Sequence, residues 1–79
     1  MGITNIITTP HISHREQEVL MLVANECTTN EIAKKLYIST HTAITHRKHL
    51  LEKLGVKNTA GLVRRAFEVG ILSVSQTQN

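Results

Sequence analysis

Residues 28–55 carry two helix signals that lie too close together to be one helix. The first, TTNEIAKKL, puts Ile32, Ala33 and Leu36 on one side at helical spacing and turns Lys34 and Lys35 away. The second, THTAITHRKHLLEKL, has an inward stripe of Ala43, Leu50 and Leu54, flanked by Leu51. Only Tyr37, Ile38 and Ser39 separate the two. So short a connection brings both apolar faces to one core only if the helices cross steeply, as in a helix-turn-helix.

Local signals bound these helices and add one on each side. Ser13 with Glu16, and Thr28 with Glu31, have the spacing of capping boxes, in which side chain and backbone satisfy each other's free groups. Ser39 and Asn58 are natural N-caps for the third and fourth helices, and Gly55 a natural terminator of the third. In the first helix Val19, Leu20, Leu22 and Val23 recur at helical spacing, with fraying expected near Asn25. In the last helix Leu62, Ala66 and Val69 suit the core, while Val63, Phe67 and Gly70 form a neighbouring stripe. The expected fold is all-α, a compact four-helix domain over residues 12–72. Residues 1–11 read as a leader or linker stub and residues 73–79 as a disordered tail.

Composition narrows the function. With Tyr37 and Phe67 the only aromatic residues, the core of this 79-residue chain must be aliphatic. A lone Cys27 excludes an internal disulfide and a cysteine-based zinc cluster, and its simplest role is a small apolar filler. No apolar run approaches the roughly 20 residues of a membrane span, and the first ten residues lack the pattern of a signal peptide. The expected setting is the reducing cytoplasm, without membrane association. No Gly-rich phosphate loop or activated nucleophile is visible, so neither an enzyme nor a cofactor is expected. His41, His46 and His49 share the third helix without a suitably spaced carboxylate or thiol, so no metal is expected either.

Charge is segregated along the chain. Residues 1–31 set Arg15 against Glu16, Glu18, Glu26 and Glu31, whereas residues 32–65 set eight Lys and Arg residues against Glu52 alone. A basic half is either a solvated surface or the footprint of a polyanion binder.

HREQEVLMLVA (residues 14–24), NEIAKKL (residues 30–36) and THRKHLLEKLGVKN (residues 45–58), in this order and spacing, resemble the LuxR-type (GerE/NarL-like) helix-turn-helix family. The resemblance covers nearly all of residues 12–72. It implies the DNA-binding domain of a bacterial transcription regulator, commonly the C-terminal output domain of a longer response regulator. The helix starting at Ser39 and ending at Leu54 would enter the major groove. Double-stranded DNA is the implied partner, bound as a two-fold dimer on palindromic half-sites. The last helix would supply the dimer contact through Val63, Phe67 and Gly70, weakly in the isolated domain; RNA polymerase is a further candidate partner.

On this reading Lys48 contacts a base edge or a phosphate, and Thr45 hydrogen-bonds one or the other. Thr40 and His41, at the amino end of the helix, suit phosphate oxygens. Thr29, Arg47 and Lys57 are positioning contacts, with packing against the core as the alternative role for Arg47. Ile44 is either an edge of the core or a contact to a thymine methyl. Three positions depart from the family pattern: Glu26 and Tyr37 stand where glycine is common, and Ile44 where lysine is common. Two other readings stay open. One is a promoter-reading segment of a sigma factor, which the residues after Ile44 fit poorly; the other is a protein-interaction module that kept the fold but lost DNA binding.

Overall fold

Four polar side chains start four helices. In the computed structural model, which describes residues 11–74, they are α1 (His14–Ala24), α2 (Thr29–Leu36), α3 (Thr40–Leu54) and α4 (Thr59–Glu68). Ser13 and Thr28 form complete capping boxes: Ser13 Oγ accepts from Glu16 N at 3.1 Å while Glu16 Oε1 accepts from Ser13 N at 3.0 Å. The corresponding distances at Thr28 and Glu31 are 3.2 and 2.7 Å. Ser39 accepts from Thr42 N at 3.0 Å and Asn58 from Gly61 N at 2.9 Å. Each bond satisfies an N–H that has no partner within its helix. Glu31 is thus engaged with its cap and makes no ion pair with Lys35, one turn on.

The helices also end alike, a regularity not legible in the residue types. A residue with positive φ follows each one: Glu26 (67°), Tyr37 (58°), Gly55 (68°) and Gly70 (83°). The next residue's N–H then bonds a carbonyl five positions back: Cys27 to Leu22, Ile38 to Ala33, Val56 to Leu51 and Ile71 to Ala66, at 2.9–3.0 Å. Cys27, Ile38, Val56 and Ile71 all pack against the core, as the apolar residue after such a turn commonly does. The expected filler role of Cys27 is therefore part of how α1 ends.

Only two of these four turns use glycine. A left-handed backbone costs a residue with a Cβ about 1–2 kcal/mol, and the Tyr37 side chain is 95% exposed, so packing returns little of it. Against this, glycine loses about 0.5–1 kcal/mol more backbone entropy on folding. Tyr37→Gly is expected to raise the thermal midpoint by a few degrees, since about 1 kcal/mol moves a domain of this size by 4–8 °C. Melting followed by circular dichroism checks this; a lower midpoint would contradict it.

The core is aliphatic and centred on α3, which packs on the other three helices. Val19, Leu20, Ile32, Ala43, Leu50, Leu54, Leu62 and Ala66 are buried in it, and Ile12 packs against it from the start of the domain. Two expectations need correction. Val69 lies outside the core: α4 stops at Glu68, and the turn through Gly70 swings Leu72 into the place expected for it, with its N–H 3.1 Å from Ala66 O. Val63 and Phe67 are half-buried against the core, so the outward stripe they were expected to form presents only part of each side chain. Of the expected leader only His11 is described, and of the expected tail only Ser73 and Val74; the rest lies outside the described residues.

One charge sits among these apolar groups. Glu16 is 5% exposed and accepts a 2.7 Å hydrogen bond from Lys53 Nζ, tying the start of α1 to the end of α3. Burial pushes its carboxyl pKa up, but the hydrogen bonds from Lys53 and Ser13, with the lysine charge, outweigh burial and hold it below the usual carboxylate range. A depressed folded value means that the stabilisation is present above the unfolded-state pKa, about 4.3, and is lost as pH falls through the folded one. Glu31 shifts the same way through its bonds to Thr28. Glu16→Gln is therefore expected to cost about 1 kcal/mol at pH 7, where the half-exposed lysine tempers the pair, and to lose less further stability than the parent between pH 5 and 3. Urea unfolding across that range checks it; parallel pH curves would contradict it.

Candidate nucleic-acid interface

With Ala43, Leu50 and Leu54 held in the core, the helical repeat fixes what α3 turns outward. His41, Ile44, Thr45 and Lys48 follow the i, i+3, i+4, i+7 spacing of one face. His41, Ile44 and Lys48 are exposed and Thr45 is half-buried. Ile44 is 51% exposed, so it is not enclosed by the core. The face carries a cation, hydroxyl and imidazole groups and one apolar side chain, without a carboxylate.

A neighbouring stripe begins at Thr40 and returns at Arg47, seven residues on. Thr40 Oγ1 donates to Asn30 Oδ1 at 3.1 Å, which locks the amino end of α3 to the amino end of α2. Two turns along, the Arg47 guanidinium donates to Thr59 Oγ1 at the start of α4. Arg47 thus both packs and hydrogen-bonds: it is half-buried and braces α3 against α4. Thr29 and Arg47 line one surface cavity of about 420 Å³, together with Val23, Glu26, Cys27, Thr28, Ile32 and Thr59.

The expected contact residues therefore form two neighbouring groups, with one outlier. His41, Ile44, Thr45 and Lys48 make the outward face of α3, while Thr29, Thr40 and Arg47 sit where α2 and α3 meet. Lys57 stands apart in the α3–α4 connection, where it lines a separate cavity of about 300 Å³ with Arg64. The exposed Gly70 lies beyond α4, and Val63 and Phe67 lie on it. His46, expected to be hydrogen-bonded, is half-buried without a hydrogen bond. Among the described residues no group of His, Cys, Asp or Glu is placed to hold a metal ion, and no helix is long and apolar enough to cross a membrane.

Sequence reasoning missed Asn30, Lys53 and Thr59. Glu16 did carry a signal, since it lies three and four residues before Val19 and Leu20 on the buried stripe of α1. A carboxylate there requires a partner. Nothing local marks Thr59 or Asn30 as the partner of a residue ten or more positions away.

A short helix braced at both ends, crossed by a longer one with a polar, basic outer face, defines a helix-turn-helix DNA-binding domain. The chain belongs to the luxR family of bacterial regulatory proteins, whose family model matches residues 10–66, and it is a transcription-regulator DNA-binding domain. It is 45% identical over 62 residues to the transcriptional regulatory protein MctR of Rhizobium johnstonii, covering 78% of this chain and 29% of that protein. It is 39% identical over 61 residues to the oxygen regulatory protein NreC of Staphylococcus aureus, covering 77% and 28%. Among solved structures it resembles the response regulator ChrA of a heme-sensing two-component system (TM-score 0.76, 30% identity, 84% of this chain and 33% of that one). It also resembles Vibrio cholera VqmA in a ligand–DNA complex (TM-score 0.76, 28% identity, 95% and 33%). The chain thus spans under a third of the length of the curated relatives it matches.

Proposed function

We propose that the domain reads double-stranded DNA by inserting α3 into the major groove, as a two-fold dimer on palindromic half-sites. The observation that carries this reading is the outward face of α3: His41, Ile44, Thr45 and Lys48 project from a helix whose opposite side is anchored by Ala43, Leu50 and Leu54. Lys48 and Thr45 contact base edges or phosphate, and Ile44 contacts a thymine methyl. Thr40, His41, Thr29, Arg47 and Lys57 hold the phosphate backbone and set register. The likeness to a VqmA structure solved with DNA supports the same docking.

Dimerisation runs through α4, where Val63, Phe67 and Gly70 supply the contact. Because Val63 and Phe67 are already half-buried, the remaining apolar area is small. The isolated chain is therefore mainly monomeric at micromolar concentration, and DNA completes the dimer. The relatives' greater length supports placement as the output domain of a longer response regulator, with RNA polymerase as a partner.

Site selection from random duplex DNA, with the bound stoichiometry measured on the winning sequence, tests this reading. Two chains on half-sites centred about 10 bp apart are expected; one chain per site, or no selected sequence, would refute it. Ile44→Lys is expected to shift one position per half-site from thymine towards guanine, and an unchanged selected-site logo would refute the methyl contact. The exposed apolar Ile44 also suits a protein-interaction module. Such a module would shift little random DNA at low salt.

A further inference from the structure

The cavity between the start of α2, the middle of α3 and the start of α4 holds a cation that the fold leaves incompletely used. Arg47 carries five N–H donors in a planar fork. Its single hydrogen bond is to Thr59, and no carboxylate lies within ion-pair distance of it among the described residues. Arg15 and Arg65, by contrast, each pair with a glutamate on their own helix. The cavity wall includes the hydroxyls of Thr28, Thr29 and Thr59 and one exposed acid, Glu26. A half-buried guanidinium held from one side, with its other donors unused beside hydroxyl groups, has the chemistry of a phosphate site.

We propose that this cavity clamps a DNA backbone phosphate through Arg47, and that Thr59 is the positioning residue that aims the guanidinium. The proposal rests on the DNA-binding reading and deepens it. Without the Thr59 hydroxyl the arginine keeps its charge but loses its fixed orientation, so the two residues make different contributions. Arg47 supplies the charge that displaces a counterion; Thr59 supplies preorganisation, which saves ordering a long side chain on binding. Asn58, not Thr59, caps α4, so removing the Thr59 hydroxyl leaves the cap intact. Glu26 opposes the anion from across the same cavity.

Anisotropy titrations of the unaltered chain, Thr59→Val, Arg47→Ala and Glu26→Gln, on the selected site and on a random duplex across a salt series, test the clamp. Arg47→Ala is expected to weaken binding about 10-fold on both duplexes and to reduce the salt slope by about one. Thr59→Val is expected to weaken both about 3-fold with the slope unchanged, and Glu26→Gln to tighten both about 2-fold. Inorganic phosphate replacing chloride at matched ionic strength is expected to displace no additional DNA. Wild-type affinity for both Thr59→Val and Arg47→Ala, with the unaltered chain binding normally, would overturn the clamp and leave the DNA reading standing. Weakening by Arg47→Ala on the selected site alone would make it a base reader and overturn the clamp as well. Displacement of DNA by millimolar phosphate would assign the cavity to a free anion. Absence of binding by the unaltered chain would overturn both readings together.

Discussion

Leu50→Ala is expected to destabilise the domain by about 3 kcal/mol, within the 2–5 kcal/mol range for emptying a packed leucine site. Leu50 is fully buried on the inward side of α3, the helix that touches all the others. The lost transfer energy and the remaining cavity therefore act at the centre of the only core the domain has. Small domains start from a stability of only several kcal/mol, so this one change consumes a large part of it. The thermal midpoint should fall by about 15 °C. DNA affinity should weaken only as far as the unfolded fraction dictates, because Leu50 does not reach the outward face. A midpoint within 3 °C of the parent, roughly 0.5 kcal/mol, would contradict the account of the core.

Lys48→Glu is the complementary case, with a large effect on binding and little on folding. Lys48 is exposed and makes neither a hydrogen bond nor an ion pair within the domain, so stability should stay within about 0.5 kcal/mol. On the proposed docking the change removes a contact worth about 1–3 kcal/mol and sets a negative charge against the phosphates. Affinity should fall about 100-fold or more, measured by anisotropy on the selected duplex. The milder Lys48→Ala then separates the two possible contacts: a guanine contact lowers the specificity ratio, whereas a phosphate contact weakens all sequences alike. Unchanged affinity for Lys48→Glu would remove Lys48 from the interface.

The contrast between these two residues follows what was legible in the chain. Leu50 and Lys48 are assigned to opposite sides of α3 by the helical repeat alone, and the caps at Ser13, Thr28, Ser39 and Asn58 are short-range bonds that need only three residues of sequence. The family motifs sharpened this into a particular fold. The long-range polar pairs were hidden: Glu16 with Lys53, Arg47 with Thr59 and Asn30 with Thr40 meet only after the helices cross, and their spacing follows no local period. Val69 and Leu72 were exchanged for a related reason. The repeat counts residues along a helix, but the left-handed turn at Gly70 ends that count and sends Leu72 into the core. Tyr37 and Glu26 show the converse, since the backbone keeps its left-handed turn where the residue type argues against it.

The central claim, that this domain binds duplex DNA through the basic face and rim of α3, is tested most directly by its affinity for the selected duplex as a function of salt. Arg47, Lys48 and Lys57 from two protomers, each neutralising a phosphate, give a slope of about −5 in log K against log salt concentration. Tight binding at 50 mM salt that falls linearly with that slope is the predicted result. A slope near zero, or no binding at 50 mM, would contradict it.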